Sequence, residues 1–474
     1  MKENISKNFK VIHFVGIGGS GMSGIAEVLH NLGFIIQGSD LIVSESTRRL
    51  SSLGIKIYRG HSKKNIDKAE LIVVSSAILE DNIEIQEGKD LNIPIIKRAE
   101  MLAELMRFRH GIAVSGTHGK TTTTSLIACI LDESNLDPTY IIGGKLHSTN
   151  TSAKLGSGNF LVAEADESDT SFLHLQPKLS VVTNIDTDHL ENYGSDIERL
   201  RTGFVDFIHN LPFDGTAVMC IDDNNVKSIL DNISRRIITY GFDQDAEIRA
   251  AEVKIKGIKT YFKVYRKGKL LFTIKSNLPG VHNIQNSLAA IAIALQLNIS
   301  KEIIKKSLDN FSGIDRRFQI KENLVTENGI INFIDDYAHH PSEINSTIKA
   351  IRDIWPERRI VTIFQPHRYS RTKQLFDDFV ESLSKVDFLI VTEIFSAGEK
   401  PISGINGKSL TGSIRLSSSL EPVFLSNLDL LPEIIKKIIV HNDILLTMGA
   451  GDIGLASNNL FSSLKARKPV GIRS

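Results

Sequence analysis

Short apolar runs separated by stretches of helical periodicity recur from the start of the chain. Residues 10–15 (KVIHFV), 34–37 (FIIQ), 55–58 (IKIY) and 71–76 (LIVVSS) have the length and composition of buried strands. Between them, Ser23–Leu32 and Glu45–Leu53 space their apolar residues as helices do. Alternation of this kind predicts a mainly parallel α/β sheet. A charged helical segment, Arg98–Phe108, ends this first series. A second opens on the strand Ile112–Ser115 and continues with strands near 160–164 and 180–185. Residues 249–275 change character. Charged and apolar residues alternate there around Lys267-Gly268, the pattern of an antiparallel hairpin at a sheet edge. After Phe311-Ser-Gly313 a third series places strands at 331–335, 360–364, 388–392 and 443–448. The pattern predicts three α/β domains, with no internal repeat and no low-complexity segment.

Composition narrows the classes. A chain of 474 residues exceeds one hydrophobic core and suits several domains. With 41% apolar residues, 23% charged and a net charge of +1, nothing forces disorder or a polyanionic partner. Basic residues form only short pairs such as Lys63-Lys64, so a nucleic-acid partner is not expected. Cys129 and Cys220 stand in apolar surroundings without C-x-x-C spacing and read as buried thiols of a reducing compartment. The first apolar run is too short for a signal-peptide core, and no apolar run reaches 18 residues. A soluble cytoplasmic protein, away from membranes, is expected.

Three motifs then carry chemistry. Gly16-Ile-Gly18-Gly-Ser-Gly21 lies between a strand and a helix, where glycines allow close approach of a diphosphate to a helix N-terminus. Asp40 follows at a distance suited to a ribose or base. This motif alone leaves a dinucleotide, a nucleotide sugar or another phosphorylated ligand open. Gly116-Thr-His-Gly-Lys120-Thr-Thr is nearly a P-loop, but its first glycine lies two residues too close to the lysine. Its strand–loop–helix setting is the one that ATP phosphates need, with a lysine for the phosphate oxygens and a hydroxyl for Mg²⁺. The third motif pairs Val162-Ala-Glu164-Ala-Asp166-Glu-Ser-Asp169 with Thr183-Asn-Ile-Asp186-Thr-Asp188-His189. Both acidic clusters end predicted strands, where a carboxylate and an imidazole suit a magnesium ion. Taken together, these features read GTHGKTTTTS as a shortened phosphate cradle. The last series adds Asp335-Asp-Tyr337-Ala-His339-His340-Pro341 and Gln365-Pro-His367-Arg368-Tyr369-Ser-Arg371-Thr372. Their spacing fits no standard zinc pattern, and the paired arginines suit bidentate capture of a carboxylate.

The ordered set HFVGIGGSGMSGIA, GTHGKTTT, EADESD, NIDTDHLENY, GVHNIQN, RRF, DDYAHHP and QPHRYSRT resembles the Mur ligases, in the branch that adds alanine to UDP-N-acetylmuramate. The resemblance runs from about Phe14 to Gly449–Gly454 and includes the short G-x-x-G-K-T loop of that family. It implies a Rossmann-like UDP-sugar domain over 1–108 and a central domain over 109–312 with a P-loop ATPase-like mixed sheet. A Rossmann-like domain over 313–474 would close over ATP and amino acid. The glycine fingerprint would then hold the UDP diphosphate through Gly16, Gly18, Gly19, Ser20, Gly21, Met22 and Ser23. Gly116, Thr117, His118, Gly119, Lys120, Thr121 and Thr122 would wrap the ATP phosphates. Thr121, Glu164 and His189 would serve magnesium or manganese, and His189 could also act on the amine proton. Asn283, Asn286, Arg317 and Asp336 match the ATP-site positions, while Tyr337, His339, Arg368 and Arg371 match the amino-acid pocket. Lys120, His189 and Arg317 would carry the catalysis. Many relatives hold a carbamylated lysine some fifteen residues after the D-H pair. No lysine occurs here between Lys178 and Lys227, as in the alanine-adding branch. The expected partners are UDP-N-acetylmuramate and L-alanine, and the expected assembly is a monomer or homodimer.

Overall fold

Buried apolar strands set the architecture. The computed structural model describes residues 9–188 and 190–465. Its first sheet contains β1 (Val11–Val15), β2 (Ile35–Asp40), β3 (Lys56–Arg59), β4 (Leu71–Val74) and β5 (Ile95–Lys97). Every pair is parallel, in the order β3-β2-β1-β4-β5. The chain leaves β1 for one side and later returns to the other, so a crevice opens beyond the C-terminal end of β1. β2 runs on to Asp40, past the apolar run that marks it in the sequence. Its polar residues are buried with partners: Gln37 donates to the Asn65 carbonyl at 2.9 Å and Ser39 to Glu84 at 2.5 Å. The first helix begins at Ser20, three residues earlier than its apolar periodicity indicates.

The second sheet is mixed. It contains β6 (His110–Ser115), β7 (Thr139–Leu146), β8 (Thr151–Lys154), β9 (Phe160–Glu164) and β10 (Leu179–Val182). It continues with β11 (Thr216–Cys220), β12 (Arg236–Gly241), β13 (Ile248–Lys256), β14 (Lys259–Arg266) and β15 (Lys269–Ser276). The order is β15-β14-β13-β12-β11-β10-β6-β9-β7-β8, with β7 and β8 antiparallel. The hairpin expected over 249–275 is three edge strands, and its Lys267-Gly268 turn has positive φ at both residues (49° and 75°). The helix Ser20–Asn31 lies against this sheet. A β-carbon on Gly24 would stand 3.0 Å from Ile141 and 3.4 Å from Ala153. One apolar core therefore runs from the first sheet into the second.

The third sheet contains β16 (Gln319–Thr326), β17 (Gly329–Asp336), β18 (Ile360–Phe364), β19 (Phe388–Thr392), β20 (Val423–Leu425) and β21 (Ile444–Met448). It is parallel except for β16, in the order β16-β17-β21-β18-β19-β20. Apolar clusters cover both faces, as a buried parallel sheet requires. The chain divides into two compact units. The first joins Met1–Lys254, Tyr261–Asn277 and Asn283–Ser312, and the second Ile255–Thr260, Leu278–His282 and Gly313–Ser474. Among the described residues, no helix is long and apolar enough to cross a membrane.

Candidate active site

In the first unit, register brings three loops to one sheet edge. Ser115 of β6 pairs with Val182 of β10, and Val114 pairs with Glu164 of β9. The loop Gly116–Gly119, the acidic run from Glu164 and the segment from Thr183 thus emerge side by side. Gly116 has a φ of +129°, and a β-carbon there would lie 2.1 Å from the Thr183 hydroxyl. Only glycine fits. The segment from Thr183 fastens the loop. Thr183 Oγ1 and Asn184 Nδ2 donate to the His118 carbonyl at 2.6 and 3.0 Å, while His118 N donates to Asn184 Oδ1 at 2.8 Å. Thr117 accepts from Asp186 N at 2.8 Å, and His118 Nε2 lies 3.5 Å from Asp186. Lys120 begins the helix Lys120–Glu133, with Thr121 and Thr122 buried in its first turn.

Asn283 and Asn286, buried on the helix Val281–Gln296, stand against this loop. Thr123 donates to Asn286 at 3.2 Å, and Asn286 donates to Asn283 at 3.2 Å. Glu164 accepts from Gly143 N at 2.6 Å. His189 lies outside the described residues.

The glycine loop of β1 completes this side. Asp40 accepts from Gly18 N at 2.8 Å and from Ile42 N at 3.0 Å, so its carboxylate clamps the loop. Gly19 precedes the helix Ser20–Asn31, with Ser20, Gly21, Met22 and Ser23 in the first turn. A cavity of about 230 Å³ has Gly19, Gly21 and Met22 on one wall and Lys120, Glu164 and Asp166 on another.

Two charged residues to which the sequence gives no individual role lie here. Arg98 lines the cavity and donates to Ser171 at 3.2 Å. Glu167 pairs with Lys120 at 2.9 Å. Burial pushes the Glu167 carboxyl up to about 7, against the pull of Lys120. Burial also opposes charge on Lys120, but Glu167 and Asp166 outweigh it and hold the ammonium above the ordinary lysine value. Within EADESD the sequence carries no periodicity to say which carboxylate faces which neighbour.

The second unit gathers the remaining candidates. Asp336 and Phe364 both align with Met448, so the loops after β17, β18 and β21 share an edge. Arg317 lies over the Tyr337 ring at 5.0 Å, and Arg316 holds Asp335 at 3.0 Å and the Gly449 carbonyl at 2.6 Å. Asp336 accepts from Thr347 at 2.8 Å, and burial pushes its carboxyl up to about 6. His339 packs edge-on against Tyr337 and His367, and His367 stacks on Phe395. Arg371 is buried, 3.4 Å from His367 Nδ1. Arg368 has a φ of +71° and donates its N–H to the Phe395 carbonyl at 2.9 Å. Tyr337, His339 and Arg371 are therefore one cluster, to which the structure adds His367 and Phe395. Gln365-Pro-His367 was visible as a motif, whereas Phe395 had no signal in the sequence.

The residues fit ATP and magnesium on their own chemistry. A loop with no room for a β-carbon at Gly116 or Gly119, leading into a helix N-terminus that carries a lysine and a buried threonine, suits phosphate oxygens. Glu164 offers a hard carboxylate oxygen on the cavity that Lys120 lines.

Comparison with known proteins agrees along the chain. Residues 11–110 match the Mur ligase family catalytic domain, 114–294 the Mur ligase middle domain and 316–451 the Mur ligase glutamate ligase domain. The structure is similar to that of UDP-N-acetylmuramate-alanine ligase from Thermotoga maritima, with 31% identity and a TM-score of 0.82 over 95% of this chain and 98% of that one. It shares the fold of a murein peptide ligase from Psychrobacter arcticus, with 24% identity and a TM-score of 0.71 over 97% and 100%. The chain belongs to the Mur ligase family, the ATP-dependent amide ligases of peptidoglycan precursor synthesis.

Proposed function

We propose that this chain joins L-alanine to the lactyl carboxylate of UDP-N-acetylmuramate through an acyl phosphate, releasing ADP and phosphate. The observation that carries this reading is the cavity lined both by Gly19 and Gly21 and by Lys120, Glu164 and Asp166. A diphosphate on the glycine loop sits at a helix N-terminus. The sugar beyond it then extends toward the lysine that meets the transferable phosphoryl group. The likeness to the Thermotoga maritima alanine ligase supports alanine as the amino acid.

The chemistry follows from the electrophile. A free carboxylate has no usable leaving group, so its oxygen first takes the γ-phosphoryl group of ATP and ADP departs. The alanine amine attacks the acyl carbon, the tetrahedral adduct expels phosphate, and the amine loses a proton. Gly116–Thr122 wrap the phosphates, and Lys120 and Arg317 offset charge on the transferring group. Magnesium, held by Thr121, Glu164 and His189, would add further positive charge at the phosphates. Asn283, Asn286 and Asp336 belong to the ATP site, and Tyr337, His339, Arg368 and Arg371 to the amino-acid pocket. Gly16–Ser23 take the UDP diphosphate, with Asp40 holding their loop. The division into 1–108, 109–312 and 313–474 and a cytoplasmic location belong to the same proposal.

A murein peptide ligase is the second reading, favoured by the Psychrobacter arcticus structure. Phosphate release with ATP and UDP-N-acetylmuramate decides between them when alanine, serine, glycine and a murein tripeptide are offered in turn. Release with alanine, and its loss in Lys120→Ala while UDP-sugar binding survives, is the expected result. Release with the tripeptide alone refutes the alanine reading.

A further inference from the structure

Two carbonyls and a carboxylate surround the Lys120 ammonium. Nζ donates to the carbonyls of Gly116 at 2.6 Å and Thr117 at 3.2 Å, and to Glu167 Oε2 and Oε1 at 2.9 and 3.0 Å. An ammonium has three N–H donors, so these four acceptors take all of them. A phosphate oxygen arriving on Lys120 must displace one. The two carbonyls belong to the loop that wraps the phosphate, and that loop is fastened through Thr183 and Asn184. Glu167 lies outside the loop, beyond β9. Its main chain is held by the Tyr193 hydroxyl, which donates to the Glu167 carbonyl at 2.6 Å. The carboxylate is therefore the partner that can be exchanged without unwinding the cradle. It also presents paired anionic oxygens to the ammonium, as a phosphate does.

We propose that Glu167 is a positioning residue that parks Lys120 in the resting site, standing in for a phosphate oxygen until the β/γ phosphates of ATP take its place. The proposal rests on the phosphate-binding reading of Lys120. Parking keeps a buried ammonium paired while no nucleotide is bound, which an isolated buried charge could not sustain. It also makes Glu167 a competitor of ATP. Glu164 and Asp166, two of the other three carboxylates of EADESD, line the cavity instead.

The test is calorimetric titration of the full chain with the non-hydrolysable β,γ-imido analogue of ATP. Wild type, Glu167→Gln, Glu167→Asp and Lys120→Ala are compared, each with a thermal melt. Glu167→Gln keeps the side-chain shape but loses the ion pair. It should bind the analogue about tenfold more tightly, the low end of the worth of a charge-assisted hydrogen bond. The KM for ATP should fall with it while kcat changes less. Glu167→Asp, one methylene shorter, should lie between. Unchanged or weaker binding in a folded Glu167→Gln protein overturns the proposal, and if that variant does not fold, Glu167→Asp decides by the same criterion. Binding of the analogue to Lys120→Ala as tightly as to wild type would instead refute the phosphate reading of Lys120. Weakened binding there, without the gain in Glu167→Gln, refutes parking alone.

Discussion

Gly119 and Asn286 are so close that a β-carbon on the glycine would lie 2.5 Å from the asparagine amide oxygen. The same glycine has a φ of +83°, which side-chain-bearing residues rarely adopt. Two independent constraints therefore fix glycine directly before Lys120. Gly119→Ala should destabilise the loop by about 1–3 kcal/mol. Because the loop sets where Lys120 stands, ATP-dependent turnover should fall by about 100-fold, the cost of misplacing a reacting group by an ångström. Steady-state kinetics and melting of the variant check both numbers, and wild-type turnover would show that the loop does not carry the phosphates.

Glu164→Gln separates charge from shape. The amide keeps an oxygen for Gly143 N, the 2.6 Å contact of the native carboxylate, so folding should be retained. What disappears is one negative charge on the cavity. The magnesium concentration at half-maximal activity should rise roughly 10–100-fold, the range seen when a group supporting a metal site is lost. A titration of activity against magnesium measures it. An unmoved midpoint would make Glu164 a purely structural anchor for Gly143.

Glu84 should set part of the acid sensitivity of the first sheet. The side chain is buried and accepts from Ser39 and Asn65 at 2.5 Å, from Ser62 N at 3.1 Å, and lies 3.2 Å from His13. Burial alone would raise its carboxyl, but hydrogen bonds from His13, Ser39 and Asn65 outweigh it and bring the value down to about 2. A carboxylate held low in the folded state adds stability above its unfolded value near 4.3, and that stability is lost as pH falls toward 2. The contribution at neutral pH is of order 2–3 kcal/mol. Glu84→Gln should therefore lower the urea midpoint at pH 7, and its gap from wild type should close between about pH 5 and pH 2. A gap that stays constant across that window would mean the cluster acts through packing instead of charge.

The strands that position the chemistry were legible because they are buried and apolar. VIHFV, the strand before Gly116, and the four apolar runs of the last series all lie within observed strands or overlap them closely. β16 was not legible: QIKENLVT is mostly solvent-facing, and a register shift between Lys321 and Leu324 breaks its alternation. Glu84 was hidden for a related reason. IEIQEGKD reads as a solvated helix, but its buried partners His13 and Ser39 come from strands 71 and 45 residues away. Glu167 was seen within EADESD as one of several carboxylates. Its pairing with Lys120 depends on how the loop after β9 folds back, which no local pattern encodes.

Arg368 and Arg371 lie on the turn after β18 and differ in setting. Arg371 is buried in the short helix Tyr369–Gln374 beside His367, whereas Arg368 is partly exposed and held in left-handed backbone by the Phe395 carbonyl. A left-handed non-glycine residue costs about 1–3 kcal/mol, so the fold accepts strain to aim this turn. Alanine offers little apolar area, and its affinity must come mainly from its charged ends. Its carboxylate suits a planar guanidinium fork, which lysine does not provide, while the amine must stay unencumbered to attack. Losing one charge-assisted bidentate contact should cost about 2–3 kcal/mol, or roughly 30- to 150-fold. Arg368→Lys or Arg371→Lys should raise the KM for alanine by that order and leave those for ATP and UDP-N-acetylmuramate nearly unchanged. The buried Arg371→Lys should also lower the melting temperature, and Arg368→Lys should not. If the KM for ATP rises while that for alanine stays put, these arginines face phosphate, and the amino-acid pocket has been assigned to the wrong turn.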